Sequence, residues 1–236
     1  MKQKFFFIAT AFFLFNSTSL FAKDYPANFF GINGNSNILN TRSIQFGIDY
    51  ISDNGGGRLV FDAGVYLTGA IHLKSGVTLQ LDEGATLLGS TNPFDYDRQN
   101  TPFDNGRETC LALILGLNQH DIGLTGKGII DGQRKALVAN ISDLIKKGLI
   151  KDPSATKPGE DNRPMIINLY RCDSVAIRNI SLKNSACWVE CYNQCKDVTV
   201  DSINVNSKAF SNNDGIDIED CKNFMLTNSY FSTDDD

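Results

Sequence analysis

Three stretches decide the fold when set beneath one another: residues 172–185 (CDSVAIRNISLKNS), 195–208 (CKDVTVDSINVNSK) and 221–234 (CKNFMLTNSYFSTD). Each opens on a cysteine, and the copies start 23 and 26 residues apart. Ile177, Val200 and Leu226 then share one column, and Leu182, Val205 and Phe231 share another. Within each copy apolar and polar residues alternate, the period-2 pattern of strands with one buried face, and a turn separates two such strands. A weaker earlier copy, HDIGLTGKGIIDG, runs from His120. A unit this short cannot close a core of its own, but stacked on its neighbours it buries a continuous interior. The expectation is an all-β fold, a right-handed parallel β-helix. Rungs ~4.8 Å apart would put Cys172, Cys195 and Cys221 in one ladder. That spacing admits either a stack of thiols or one disulfide with a thiol left over.

Working outward, further strands are expected at 58–62, 65–73, 77–82 and 85–88. Residues 41–54 read as a helix: Thr41 is a fair N-cap, Ile44, Ile48 and Ile51 line one face, and Gly55-Gly56-Gly57 stops it. Such a helix would cap the open N-terminal end of the solenoid and shield a sheet edge prone to aggregation. Residues 134–163 break the strand pattern. There Leu137, Ile141, Leu144 and Ile145 predict a short helix ended by Gly148, followed by a polar loop over 151–163. This is an insertion between rungs and not a linker, so residues 23–236 read as the N-terminal part of a single domain. His120 is expected in a turn, and the lone Trp188 in the core.

The first 22 residues are an address. Lys2 and Lys4 precede the 11-residue apolar run FFFIATAFFLF, Phe5 to Phe15, and Ala22 offers a small residue for cleavage. A spanning helix needs ~20 apolar residues, so the segment reads as a signal peptide. The mature protein is expected to be secreted or periplasmic, with no stable membrane insertion after cleavage. Export allows the six cysteines to oxidise. No C-x-x-C pair is present, which excludes a zinc ribbon. Cys187, Cys191 and Cys195, four apart, would share a face on a helix, but the Val, Ile and Tyr around them favour strands, and no metal site is expected. The charge balance, 22 Lys+Arg against 27 Asp+Glu for a net −5, weighs against nucleic-acid binding. Two histidines exclude mechanisms that need several imidazoles. A hydrophobic content of 42% excludes a disordered chain.

The chemistry candidates lie at the end. Residues 212–236 hold seven acidic residues against one lysine. Asp235 and Asp236 follow Asp214 by 21 and 22 positions, close to one rung. On a β-helix the three side chains could share a face. Like charges brought that close favour one protonated carboxylic acid beside ionised carboxylates. Glycoside hydrolysis by inversion needs that combination: an acid for the leaving oxygen and a base for the attacking water, ~6.5–9.5 Å apart. Spacing alone leaves two other readings open, a calcium site built from clustered carboxylates and a set of solvated turns.

The residues resemble the polygalacturonase family, family 28 of the glycoside hydrolases, which carries N-T-D-G and, about one rung later, T-G-D-D. This chain has Asn212-Asn213-Asp214-Gly215 and Thr233-Asp234-Asp235-Asp236. The stretch 55–90 looks like the family's opening rungs. Residues 162–188 (NRPMIINLYRCDSVAIRNISLKNSACW) look like its R-P…N-S-P-x-W stretch. The resemblance implies hydrolysis of α-glycosidic bonds in pectin or a related acidic polysaccharide, with inversion and with no cofactor or metal. It makes Asp235 the general acid, with Asp214 and Asp236 holding and deprotonating the water. No substrate-binding residue is assigned. Asn213 replaces the family's Thr, and Asp234 replaces its Gly. The family's next motifs, Gly-His-Gly and Arg-Ile-Lys, lie downstream of the D-D pair and do not occur here, so the chain is expected to be C-terminally truncated and inactive as it stands. The competing readings are a calcium-dependent polysaccharide lyase and a non-catalytic carbohydrate-binding β-helix on the same fold.

Overall fold

Side-chain columns organise the molecule. In the computed structural model, which describes residues 23–98, 110–154, 158–208 and 211–236, Leu59, Leu79, Leu124, Ile177, Val200 and Leu226 stand beside one another on successive parallel strands. Tyr66, Leu87, Ile130, Leu182, Val205 and Phe231 form a second column. Both columns named from the sequence are therefore real. Most of their members are wholly buried, and each such side chain contributes about 1.5–3 kcal/mol by leaving water. The proposed signal segment, residues 1–22, lies outside the described residues.

Three parallel sheets carry these columns. The first has seven strands, from Asp24–Pro26 to Lys222–Thr227, and the second has six, from Gly64–Thr68 to Tyr230–Ser232. The third runs from Ile71–His72 to Ile216–Glu219, with the short strand Asp97–Arg98 added antiparallel. The chain visits the third, first and second sheets in turn, so each coil is a rung of a right-handed parallel β-helix. The last three rungs begin with Met165–Tyr170, Glu190–Asn193 and Ile216–Glu219. Each repeat copy supplies the two strands that follow, Asp173–Arg178 and Ser181–Lys183 in the first of them.

The turn between third and first sheets explains the cysteine headings. Arg171, Gln194 and Asp220 adopt φ of 50–52°, and Ser174, Asp197 and Asn223 adopt 52–56°. Left-handed backbone costs a side chain about 1 kcal/mol or more. It recurs at matching places because it turns the chain sharply enough to start the next strand. Asn179, Ser202 and Asn228, at 60°, 56° and 51°, do the same between first and second sheets. Between each such pair sits one cysteine. The Lys196 N–H donates to the Cys172 carbonyl at 2.8 Å and the Lys222 N–H to that of Cys195 at 2.9 Å, so the three cysteines are stacked in register. All six cysteines are free thiols, the first of the two arrangements the spacing allowed. His120 pairs with Asp173 and lies between left-handed Asn118 (φ 52°) and Asp121 (φ 53°), so it sits in the matching turn, as expected, where the strand His120–Thr125 opens.

Helix α1 (Thr41–Asp53) buries Ile44, Ile48 and Ile51, the predicted face. It sits over the first rungs at the N-terminal end, beside Gly57–Phe61, Ile71–His72 and Val77–Leu81. Its N-cap is Asn40 and not Thr41. The Thr41 hydroxyl instead accepts the Gly69 N–H at 2.7 Å, which ties the helix start to the second-sheet exit. Gly47 is buried where the Phe30 ring lies 3.0 Å from any added Cβ. Helix α2 (Arg134–Lys146) buries Leu137 and Ile141, and Gly148 at φ 71° ends it, as the pattern predicts. Among the described residues no helix is long and apolar enough to cross a membrane.

Candidate active site

Apart from the stretch that carries α1 between two first-sheet strands, the long connections between described strands leave the solenoid at one corner, where the second sheet hands the chain to the third. Residues 90–110, 132–164, 184–189 and 207–215 all lie between a second-sheet strand and a third-sheet strand. Asp214 sits at the end of the last of these, one residue before Gly215 and Ile216–Glu219. Asp235 and Asp236 follow Tyr230–Ser232 at the same corner, one rung on.

Two hydrogen bonds tie the two rungs together. The Gly215 N–H donates to the Asp236 carbonyl at 2.6 Å, and the Asn212 N–H donates to Asp235 Oδ2 at 3.2 Å. Thr233 Oγ1 donates to the Asp235 carbonyl at 3.1 Å, tightening that turn. The structure thus brings Asp214, Asp235 and Asp236 onto adjacent rungs. Their surroundings differ: Asp214 is 9% exposed, whereas Asp235 and Asp236 lie open.

A dense set of bonds supports Asp214 from beneath. Its carbonyl accepts the Val189 N–H at 2.9 Å. Asn213, which stands where the resemblance expects Thr, turns its amide inward and donates to the carbonyls of Cys187 at 2.6 Å and Ser185 at 3.4 Å. Ser185 Oγ donates to the Trp188 carbonyl at 2.7 Å, and the Ser185 N–H to Ser207 Oγ at 2.8 Å. Trp188 itself is 5% exposed. It belongs to a second apolar cluster with Met165, Leu115, Cys187 and Cys191, so it fills core, as expected, and has no open face for a sugar.

Cations that could meet an acidic sugar lie in two places. Lys183 ends Ser181–Lys183 and Lys208 follows Asn204–Asn206, so both stand at the carboxylate corner. Arg178 belongs to the first sheet and lines a shallow groove there with Arg58 and Lys127, away from the carboxylates. His72 pairs with Asp97 at 3.1 Å, near the N-terminal end. Among the described residues no group of three or more His, Cys, Asp or Glu is arranged to hold a metal ion.

Sequence reasoning missed two buried polar groups. Arg163, 1% exposed, donates through Nη1 to the Ala186 carbonyl at 2.8 Å and the Ser211 carbonyl at 3.1 Å. Its only signal was its place in the R-P pair. Glu190, wholly buried, follows directly on Val189 and carried no signal at all.

The family model described as "Glycosyl hydrolases family 28" matches residues 56–236. An exo-poly-alpha-D-galacturonosidase of Dickeya chrysanthemi is 28% identical over 242 residues, 88% of this chain and 40% of that protein. A solved structure of a candidate glycosyl hydrolase from Parabacteroides merdae ATCC 43184 is 35% identical with a TM-score of 0.72, covering 89% of this chain and 98% of that one. The structure of a hyperthermoactive exopolygalacturonase from Thermotoga maritima is 25% identical with a TM-score of 0.72, over 89% of this chain and 52% of that one. The chain therefore spans about two fifths of the length of the curated relatives it matches.

Proposed function

The chain belongs to glycosyl hydrolases family 28, and from that premise we propose that the protein hydrolyses α-glycosidic bonds of pectin with inversion. Asp235 is the general acid: its carboxylic proton passes to the leaving glycosidic oxygen. Asp214 and Asp236 hold a water on the opposite side of the sugar and take its proton as its oxygen attacks the anomeric carbon. The glycosidic C–O bond breaks, a C–O bond to water forms, and the anomeric configuration inverts. The names of the relatives, galacturonosidase and polygalacturonase, support galacturonate polymer as the substrate.

The observation that carries this reading is the pairing of 212–215 with 235–236, which sets three carboxylates on adjacent rungs at the corner between the second and third sheets. Asp214 is enclosed and held by backbone bonds on both sides, to Val189 and Asp236, so it can orient a water. Preorganisation of this kind is what lets a positioned acid contribute about 10²–10⁴-fold.

The test is Asp235→Asn in the full-length protein. Reducing-end release from polygalacturonate is expected to fall about 10²–10⁴-fold, with substrate binding retained in a pull-down on the insoluble polymer. Unchanged turnover would remove Asp235 from the acid role. An unsaturated product absorbing in the near ultraviolet, lost on chelation, would replace hydrolysis by lyase chemistry.

The same proposal places the protein outside the cytoplasm, because Lys2, Lys4 and the run from Phe5 to Phe15 have the order of a signal peptide. N-terminal sequencing of the exported protein should find a start near Lys23, and a start at Met1 in an exported form would contradict cleavage.

A further inference from the structure

Arg163 is among the largest side chains that are fully buried. Removing a guanidinium from water is costly unless hydrogen bonds replace the hydration, so its partners matter. One nitrogen, Nη1, donates to two carbonyls, Ala186 O at 2.8 Å and Ser211 O at 3.1 Å. Those carbonyls belong to corner loops of successive rungs, 184–189 and 207–215. Arg163 itself ends a third loop, just before Met165–Tyr170. One cation thus ties three consecutive corner loops.

The ties converge on Asp214. Ser211 lies three residues before it, Asn213 grips the Cys187 and Ser185 carbonyls, and the Asp214 carbonyl takes the Val189 N–H. The backbone leading into Asp214 is therefore bound to 185–189 at successive points, and Arg163 supplies the charged one. A lysine could offer only a point charge on a flexible stem, whereas guanidinium presents rigid, planar donors.

We propose that Arg163 is a positioning residue for the Asp214 carboxylate. It acts on catalysis through the loop it holds and not by touching substrate. The inference rests on the catalytic reading of Asp214 given above. Displacing a reacting group by about 1 Å can cost about 10²-fold in rate, and a loop freed from a buried tie can move that far.

The experiment uses Arg163→Ala, Arg163→Lys and Asp214→Asn in the full-length protein. It has two readouts, turnover of polygalacturonate and amide hydrogen exchange at 211–215. For Arg163→Ala, kcat is expected to fall about 10- to 100-fold with KM little changed, and exchange at 211–215 to quicken while the rungs of residues 57–89 stay protected. Millimolar guanidinium ion should restore part of the lost kcat in Arg163→Ala and none in Asp214→Asn. Should Arg163→Ala fail to fold, Arg163→Lys carries the test, with kcat lowered and KM held. The proposal is overturned by parental kcat in a folded variant, by unchanged exchange at 211–215, or by a loss that guanidinium ion does not relieve and that spreads over all rungs. Absence of turnover in the parent, or full activity of Asp214→Asn, would sink the proposed function instead. The exchange readout would then still decide whether Arg163 holds the loop.

Discussion

Glu190 stands where an isoleucine would be expected. Its column on the third sheet reads Ile71, Ile114, Ile167, Glu190, Ile216, and its side chain is wholly buried. Oε2 accepts the Tyr192 hydroxyl at 2.6 Å, while Oε1 has no hydrogen-bond partner among the described residues. Burial pushes the carboxyl up from 4.5 to about 8, against the opposing pull of the Tyr192 hydroxyl. Below the ordinary carboxyl value both folded and unfolded chains carry the proton. Between 4.5 and about 8 only the unfolded chain ionises, so stability declines as pH rises. Above that window both states ionise and the slope disappears. Glu190→Gln removes the titration, so its advantage over the parent should grow by about 1.4 kcal/mol per pH unit across the window in urea denaturation between mildly acid and mildly alkaline pH. Parallel stability curves for the two proteins would show that Glu190 does not titrate in the fold. Neither Glu190 nor Arg163 was legible in the sequence. A charged residue in a strand reads as an outward position, and only the closed interior of the solenoid makes it an inward one. Asp214, Asp235 and Asp236 were legible, because a spacing near one rung maps directly onto adjacency.

At the scale of elements, α1 was readable almost to the residue, since Ile44, Ile48 and Ile51 repeat at helical spacing and all three are fully buried. The cap was not. Asn40 directs its amide to the carbonyls of Asn33 and Ile38, and the Thr41 hydroxyl is committed to Gly69, so loop packing overrode the local capping preference. The third-sheet strands were also harder to read. In Met165–Tyr170 and Glu190–Asn193 every residue is buried, because a second apolar cluster covers the outer face and erases the alternation. Helix α1 is expected to matter chiefly for the rungs beneath it, since a solenoid couples nearest neighbours most strongly. Ile48→Ala should cost about 2–4 kcal/mol. Hydrogen exchange should show the loss concentrated in Gly57–Phe61 and Val77–Leu81, with Lys196–Asp201 spared. Uniform loss over all rungs would mean that the solenoid unfolds as one unit.

Across the whole molecule, a regular scaffold and an irregular corner divide the work. The first sheet and the turns at its two ends repeat, with left-handed residues at matching places and stacked cysteines. The corner between second and third sheets carries helix α2, the polar loop after it and all three candidate carboxylates. That division explains what the sequence could reveal: a repeated unit announces itself by its period, whereas loops that meet only in space do not. It also gathers the candidate carboxylates, because residues far apart in the chain reach one place only where the rungs align. The stereochemistry of the released product tests the proposed inverting hydrolysis most directly. Proton NMR of the first products released by the full-length protein from polygalacturonate should show the β-anomer appearing before mutarotation, as single displacement at an α-bond requires. Initial release of the α-anomer, or of an unsaturated uronate, would contradict it.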